Sequence, residues 1–211
     1  MGGYFMKNDK LYEAIFRRKS IRKYNMSALS DMTLADIQGF ANTVKPLDET
    51  IQYEFSHLAT DEVKNMLPIK APHYICLYSE KKGNYLMNAG FLLQQINLYL
   101  SDNNLGSCWL GMAKPTQNQQ TELPFVISMA FGYPSEELYR NVSDFKRKSL
   151  TEISEGADSR LEAARLAPSG MNSIDTGIAL CHLYVASKSF SFVKLNSFPE
   201  RKGYIYMGTV K

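Results

Sequence analysis

The stretch from Tyr85 to Asp102 constrains this chain more than any other. Leu86, Ala89, Leu93, Ile96 and Leu100 advance by steps of three or four, and Leu92 and Leu98 widen the apolar face beyond one stripe. A surface helix needs an apolar face over only roughly a third of its circumference; this wider face predicts a helix buried on more than one side. Asn103, Asn104 and Gly106 are stop residues. Such a helix must be layered on several sides, and 211 residues at 45% hydrophobic content supply enough core for one domain spanning residues 1–211.

The flanking segments predict the layers. Leu11, Ile15 and the pair Arg17 and Arg18 suit a first helix capped by Asp9, and Leu34, Ile37, Phe40 and Ala41 suit a second after Ser30. Ile51, Tyr53 and Phe55 alternate with polar residues as a half-buried strand. Further strands are expected at His73 to Tyr78, Ser107 to Met112 and Phe125 to Phe131; the last is nearly continuous, as in a central strand covered on both faces. Ser159 and Glu162 have capping-box spacing before a helix that Pro168 halts. A last helix follows from Ile174 to Val185, then closing strands at Phe190 to Leu195 and Tyr204 to Val210. Strands and helices mixed in this order predict an α+β fold.

Charge and cysteine usage narrow the function. A formal net charge of +3 gives no argument for nucleic acid or a membrane surface. No apolar run approaches a membrane span, and the first ten residues lack a signal-peptide core. Met6 stands where a myristoylation pattern needs Ser or Thr. Cys76, Cys108 and Cys181 are odd in number and lie in apolar surroundings, so buried thiols of a cytoplasmic protein are expected, not disulfides or metal ligands. His57, His73 and His182 form no nucleophile–base arrangement with a serine or cysteine, and no metal site is expected.

Two clusters carry binding chemistry. Arg18-Lys-Ser-Ile-Arg22 places two guanidiniums and a hydroxyl within five residues, donors matched to a phosphate. Lys146-Arg147-Lys148 is a second cationic cluster far along the chain. On spacing alone, a solvated helix end and a solvated loop account for them more readily than a ligand site. Neither a Walker-type loop nor a GxGxxG after a strand is present. Gly106 and Gly111 bracket an apolar strand that would let a flat ligand approach, or mark a bulge. Pro168, Ser169, Gly170 and Asn172 close a helix in a small polar loop.

Four segments, IFRRKSIRKY, NAGFLLQQINLYLSDNNLGSCWLGM, FKRKSLTEI and AARLAPSGMNS, taken in that order resemble the nitroreductase family, in the single-domain branch with rearranged motif order. In most members the last motif soon follows the first; here it comes far later. The resemblance implies a mixed, mainly antiparallel sheet flanked by helices, binding FMN at their seam, often across a homodimer interface. It implies that Arg18, Lys19, Ser20 and Arg22 contact the phosphate, ribityl chain and pyrimidine edge, and that Arg147, helped by Lys148, closes on the phosphate. Trp109, Leu110 and Gly111 would lie along the isoalloxazine, and Pro168, Ser169, Gly170 and Asn172 would complete the site.

The activity so implied is hydride transfer from NAD(P)H through flavin N5 to a small acceptor such as a nitroaromatic or quinone. The flavin carries that chemistry, so no catalytic side chain is required of the protein. Two alternatives share these motifs: a flavin-fragmenting enzyme that forms dimethylbenzimidazole, and a non-catalytic flavin-binding protein. One departure bears on them. The family continues the last motif with Gln-Pro-Trp and a strand, whereas here Ser173 runs directly into Ile174. Losing a core strand would cost more than a domain's net stability, so additional residues between Ser173 and Ile174, forming a segment over the flavin, are expected.

Overall fold

The helix at Tyr85–Asp102 forms where its apolar spacing places it, and the rest of the molecule is layered around it. This computed structural model describes every residue except Met1, Asn118, Gln119, Ala157, Met171, Asn172 and Pro199, and for residues 2–8 the backbone alone. In chain order the elements are α1 (Gly2–Ile15), α2 (Asp31–Ala41), β1 (Tyr53–Ala59), β2 (Val63–Asn65), β3 (His73–Ser79) and α3 (Tyr85–Asp102). There follow β4 (Gly106–Leu110), β5 (Ala113–Pro115), β6 (Phe125–Gly132), α4 (Leu150–Ile153), α5 (Leu161–Arg165), α6 (Ser173–Val185), β7 (Phe192–Val193) and β8 (Thr209–Val210).

The fold is α+β. Its main sheet has the order β1-β3-β6-β4, every neighbouring pair antiparallel. A parallel pairing touches it as an isolated bridge between Ser20 and Ser107. Both faces are covered, which explains why β3 and β6 read as continuous apolar runs. Ile75, Leu77, Trp109, Ile127, Met129 and Phe131 face α3, while Tyr74, Cys76, Tyr78, Cys108, Leu110 and Ala130 face a second cluster containing Ile21 and Tyr24. Leu92, Leu93 and Ile96 on α3 are wholly buried, each contributing about 1.5–3 kcal/mol.

α3 meets α6 at two glycines. A Cβ on Gly90 would lie 2.2 Å from the carbonyl oxygen of Ile174, and one on Gly177 only 1.9 Å from that of Met87. The backbones touch, and no side chain fits between them.

Several sequence expectations are corrected. Ser173 and Ile174 are successive residues of α6, so the chain carries no extra segment there; α6 itself, packed through Gly177 on α3, starts where the family strand was expected. Asp9 lies inside α1 instead of capping it. Arg160, not Ser159, stands at the start of α5, where it pairs with Asp158, and Glu162 turns to Arg165. The first strand begins at Tyr53, two residues after Ile51. The closing strands shrink to two residues each and pair with one another, apart from the main sheet. No helix among the described residues is long and apolar enough to cross a membrane.

The crossing predicts opposite outcomes for two similar changes. Gly177→Ala lowers stability by about 3 kcal/mol, because helix backbone must move apart. Gly39→Ala, on α2 with nothing within 4 Å of the new Cβ, raises it by up to ~1 kcal/mol. Urea unfolding of the two variants measures both; equal effects would contradict the crossing.

Candidate functional site

The segment after α1 is extended because long-range partners hold it on both sides. Ile21 N donates to Ser107 O at 3.0 Å, joining it to the start of β4, and Arg140 N donates to Arg17 O at 3.0 Å. Arg18 bridges Tyr139 and Tyr24 bridges Pro134, so the chain after β6 lies antiparallel to it. Gly106 admits the Ile21 side chain: a Cβ there would sit 2.7 Å from Ile21 Cγ1. Tyr24 Oη donates to Ile21 O at 2.6 Å and closes the turn.

Locked this way, the segment forms one wall of a cavity of about 400 Å³ lined by Arg18, Lys19, Ser20, Arg22, Glu136, Arg140, Arg147, Pro168 and Ser169. Five basic side chains face a single carboxylate. That carboxylate is engaged elsewhere: Glu136 Oε1 accepts from Arg22 N at 2.6 Å and Lys23 N at 3.1 Å, bonds that hold its carboxyl below the usual range. None of the ion pairs among the described residues uses a cavity arginine.

Arg18 is 2% exposed, and its side chain donates to Ser20 Oγ at 3.2 Å. Burial, then the repulsion of Arg140, Arg147 and Arg22, pushes its pKa down to about 9. Arg140 donates from Nε to Arg18 O at 3.1 Å and stacks its guanidinium 3.5 Å from the Phe145 ring centre. Arg147 Nη2 donates to Ala167 O at 2.7 Å, while its Nε is buried without a partner. Concentrated, partly buried positive charge with an unused buried donor has the chemistry to hold an anion bearing several acceptor oxygens.

Sequence reasoning named seven of these wall residues: Arg18, Lys19, Ser20, Arg22, Arg147, Pro168 and Ser169. It missed Glu136 and Arg140, which follow a turn and carry no local signal. Other expected residues lie apart. Lys148 is exposed, and its carbonyl accepts from Arg165. Gly170 sits beside the cavity at φ +135°, its N–H donating to Asp175 Oδ2 at 2.7 Å. Trp109 and Leu110 are buried on opposite faces of β4, and Gly111 is exposed just beyond it; none lines the cation cavity. Asn172 lies outside the described residues.

The family model described as "Putative TM nitroreductase" matches residues 10–174. The chain belongs to this family. Among solved structures, this nitroreductase-family chain is similar to a putative nitroreductase from Thermotoga maritima, at 22% identity and TM-score 0.65, over 89% of this chain and 90% of that one. It is also similar to an FMN-dependent nitroreductase from Clostridium difficile, at 19% identity and TM-score 0.52, over 67% and 96% of the two chains. A nitroreductase described as putative, in complex with FMN, from Desulfovibrio desulfuricans matches at 19% identity and TM-score 0.50, over 70% and 98%. Identities this low establish a shared fold. No curated protein matches the chain.

The unpaired cations make a first prediction. Arg18→Met, which removes a buried charge, melts at a higher temperature than wild type in phosphate-free buffer. Inorganic phosphate at a hundred times its wild-type Kd adds about 2.7 kcal/mol to the wild type and under about 1 kcal/mol to the variant. Thermal unfolding with and without phosphate checks this; a wild type indifferent to phosphate contradicts it.

The histidines make a second. Burial pushes His182 down to about 3 and His57 to about 4. The unfolded chain then binds more protons than the folded one from pH 6.5 downward, so their contribution is complete above 6.5 and lost as pH falls toward 3–4. At pH 4.5 each costs about 2–3 kcal/mol, and His182→Asn flattens the slope. Urea midpoints between pH 7 and 4.5 report it; a pH-independent midpoint would refute buried neutral histidines.

Proposed function

We propose that this chain is an FMN-dependent oxidoreductase that takes electrons from NAD(P)H and delivers them to a small acceptor, nitroaromatic or quinone. The observation carrying the proposal is the cavity in which five cations, one of them 2% exposed, face a single occupied carboxylate. FMN ends in a phosphate of nearly two negative charges, which satisfies such a set. Family membership and the FMN-bearing neighbour support the same cofactor.

In this reading Arg18, Ser20, Arg140 and Arg147 hold the phosphate, with the buried Arg147 Nε supplied by one of its oxygens. Ser169 and Pro168 close the cavity from the α5 side. Arg22 and Lys19, on the outer wall, add positive potential toward the ring system, which would run along the backbone of Trp109, Leu110 and Gly111. The flavin, when bound, supplies the hydride chemistry. All three histidines have their pKa lowered by burial. The reading takes residues 1–211 as one domain, a homodimer as the assembly and the cytoplasm as its location.

One observation favours a second reading. α6 begins at Ser173, where the resemblance implied a further strand beside the flavin. A flavin-binding protein without turnover fits that feature.

Purified protein mixed with FMN should retain the yellow chromophore through gel filtration and lose its long-wavelength absorbance when NADH or NADPH is added anaerobically. Arg18→Met weakens FMN binding by about 2 kcal/mol or more, roughly thirtyfold. Protein that stays colourless sinks the proposal. Flavin binding with no bleaching and no turnover of quinones, nitroaromatics or oxygen selects the second reading.

A further inference from the structure

Behind the cavity a buried polar chain crosses the core. Trp109 Nε1 donates to Gln94 Oε1 at 3.3 Å, Gln94 Nε2 lies 2.9 Å from His182 Nε2, and His182 Nδ1 lies 2.7 Å from Ala163 O. The indole can only donate, so it fixes which end of the Gln94 amide it meets, and the amide nitrogen must then donate to His182. His182 Nε2 therefore accepts, and its proton sits on Nδ1, pointing at Ala163 O. Gln94 and His182 are both 0% exposed, so neither has water as an alternative partner.

Ala163 O needs that proton. At the end of α5, Ala167 N turns back to Ala164 O at 3.1 Å, three residues earlier, leaving Ala163 O without the helical amide that would otherwise bond it. Ala163 is 1% exposed, and an unmet carbonyl there would be costly. One turn later Ala167 O is met by Arg147 Nη2 at 2.7 Å. The turn that brings Pro168 and Ser169 to the cavity is thus pinned at two carbonyls, by His182 and by a cavity cation.

We propose that His182 is a positioning residue for the anion cavity: its Nδ1–H sets the end of α5, and through Ala167 O that turn aims Arg147 at the bound phosphate. The proposal rests on the phosphate-binding reading of the cavity. Gln94, anchored by Trp109, keeps the imidazole in the one tautomer that donates toward α5. The polar chain therefore links β4 to the loop on the far wall of the site.

The test compares His182→Asn with His182→Gln. Asparagine places an amide donor where Nδ1 stands; glutamine places its amide where Nε2 stands, toward Gln94 and away from Ala163. FMN affinity, inorganic phosphate affinity and amide exchange at Leu166, Ala167, Ser169 and Gly170 are measured in both and in wild type. We expect His182→Asn to stay within about threefold of wild type, and His182→Gln to lose roughly tenfold in both affinities with faster exchange confined to that turn, the loss scaling with one to two kept or broken bonds. Equal affinities and equal exchange in the two variants overturn the proposal. Should His182→Gln not fold, Gln94→Leu, which frees the tautomer, must show the same changes in weaker form, and no change overturns it. If wild type binds no FMN, the functional reading fails alone, and phosphate affinity with exchange still decides for or against His182.

Discussion

Arg18 is the constraint on which the site's architecture turns. Its backbone lies at the junction of α1, the start of β4 and the chain after β6, and no carboxylate among the described residues pairs with its guanidinium. A buried, unpaired charge costs several kcal/mol. That cost is tolerated in a folded domain only where the surroundings over-determine the position, and here they do. The peptide of Arg18 is bridged to Tyr139, its carbonyl accepts from Arg140, and the next residues are sewn to Ser107. Glu136, instead of neutralising the cluster, spends its lone pairs on the backbone of Arg22 and Lys23. The molecule holds its charges apart from their natural partners, which is what an anion-binding site requires.

The core explains how such a wall stays rigid. α3 is buried on nearly all sides, and its contact with α6 is backbone on backbone at Gly90 and Gly177. α6 in turn carries His182, which meets the end of α5, where the cavity's other wall begins. Position is passed from the sheet to α3, from α3 to α6, and from α6 to the Pro168 turn. Each step uses a close contact or a buried hydrogen bond, so a displacement at one wall is resisted at the other.

How much of this could be read from the amino-acid order depends on the range of the interactions. α3 was legible to the residue because its signal, an apolar repeat of three and four, is local and long. The basic segment at Arg18 and the Arg147 cluster were legible because guanidiniums beside hydroxyls match phosphate wherever the chain puts them. Arg140 and Glu136 were not, since they reach the cavity only through the antiparallel pairing of residues 134–140 with residues 17–24, which leaves no periodic trace. The side-chain packing of Trp109 leaves no local trace either: the alternation of β4 turns its ring toward α3, where Gln94 takes its N–H. The expected segment between Ser173 and Ile174 failed for a related reason: the family pattern calls for a strand, but Gly177 lets a helix approach α3 closely enough to cover that part of the core instead.

The central claim is that the unpaired cations exist to bind a phosphate ester. FMN and riboflavin share the whole ring system and ribityl chain and differ only in that phosphate, so their relative affinity isolates it. Titration of both into the wild-type protein, followed by flavin fluorescence, measures the difference directly. The account predicts that FMN binds at least about a hundredfold more tightly, some 2.7 kcal/mol, as expected for charge-assisted contacts from several arginines. Equal affinity for the two would show that the cations do not serve a phosphate, and would contradict the account.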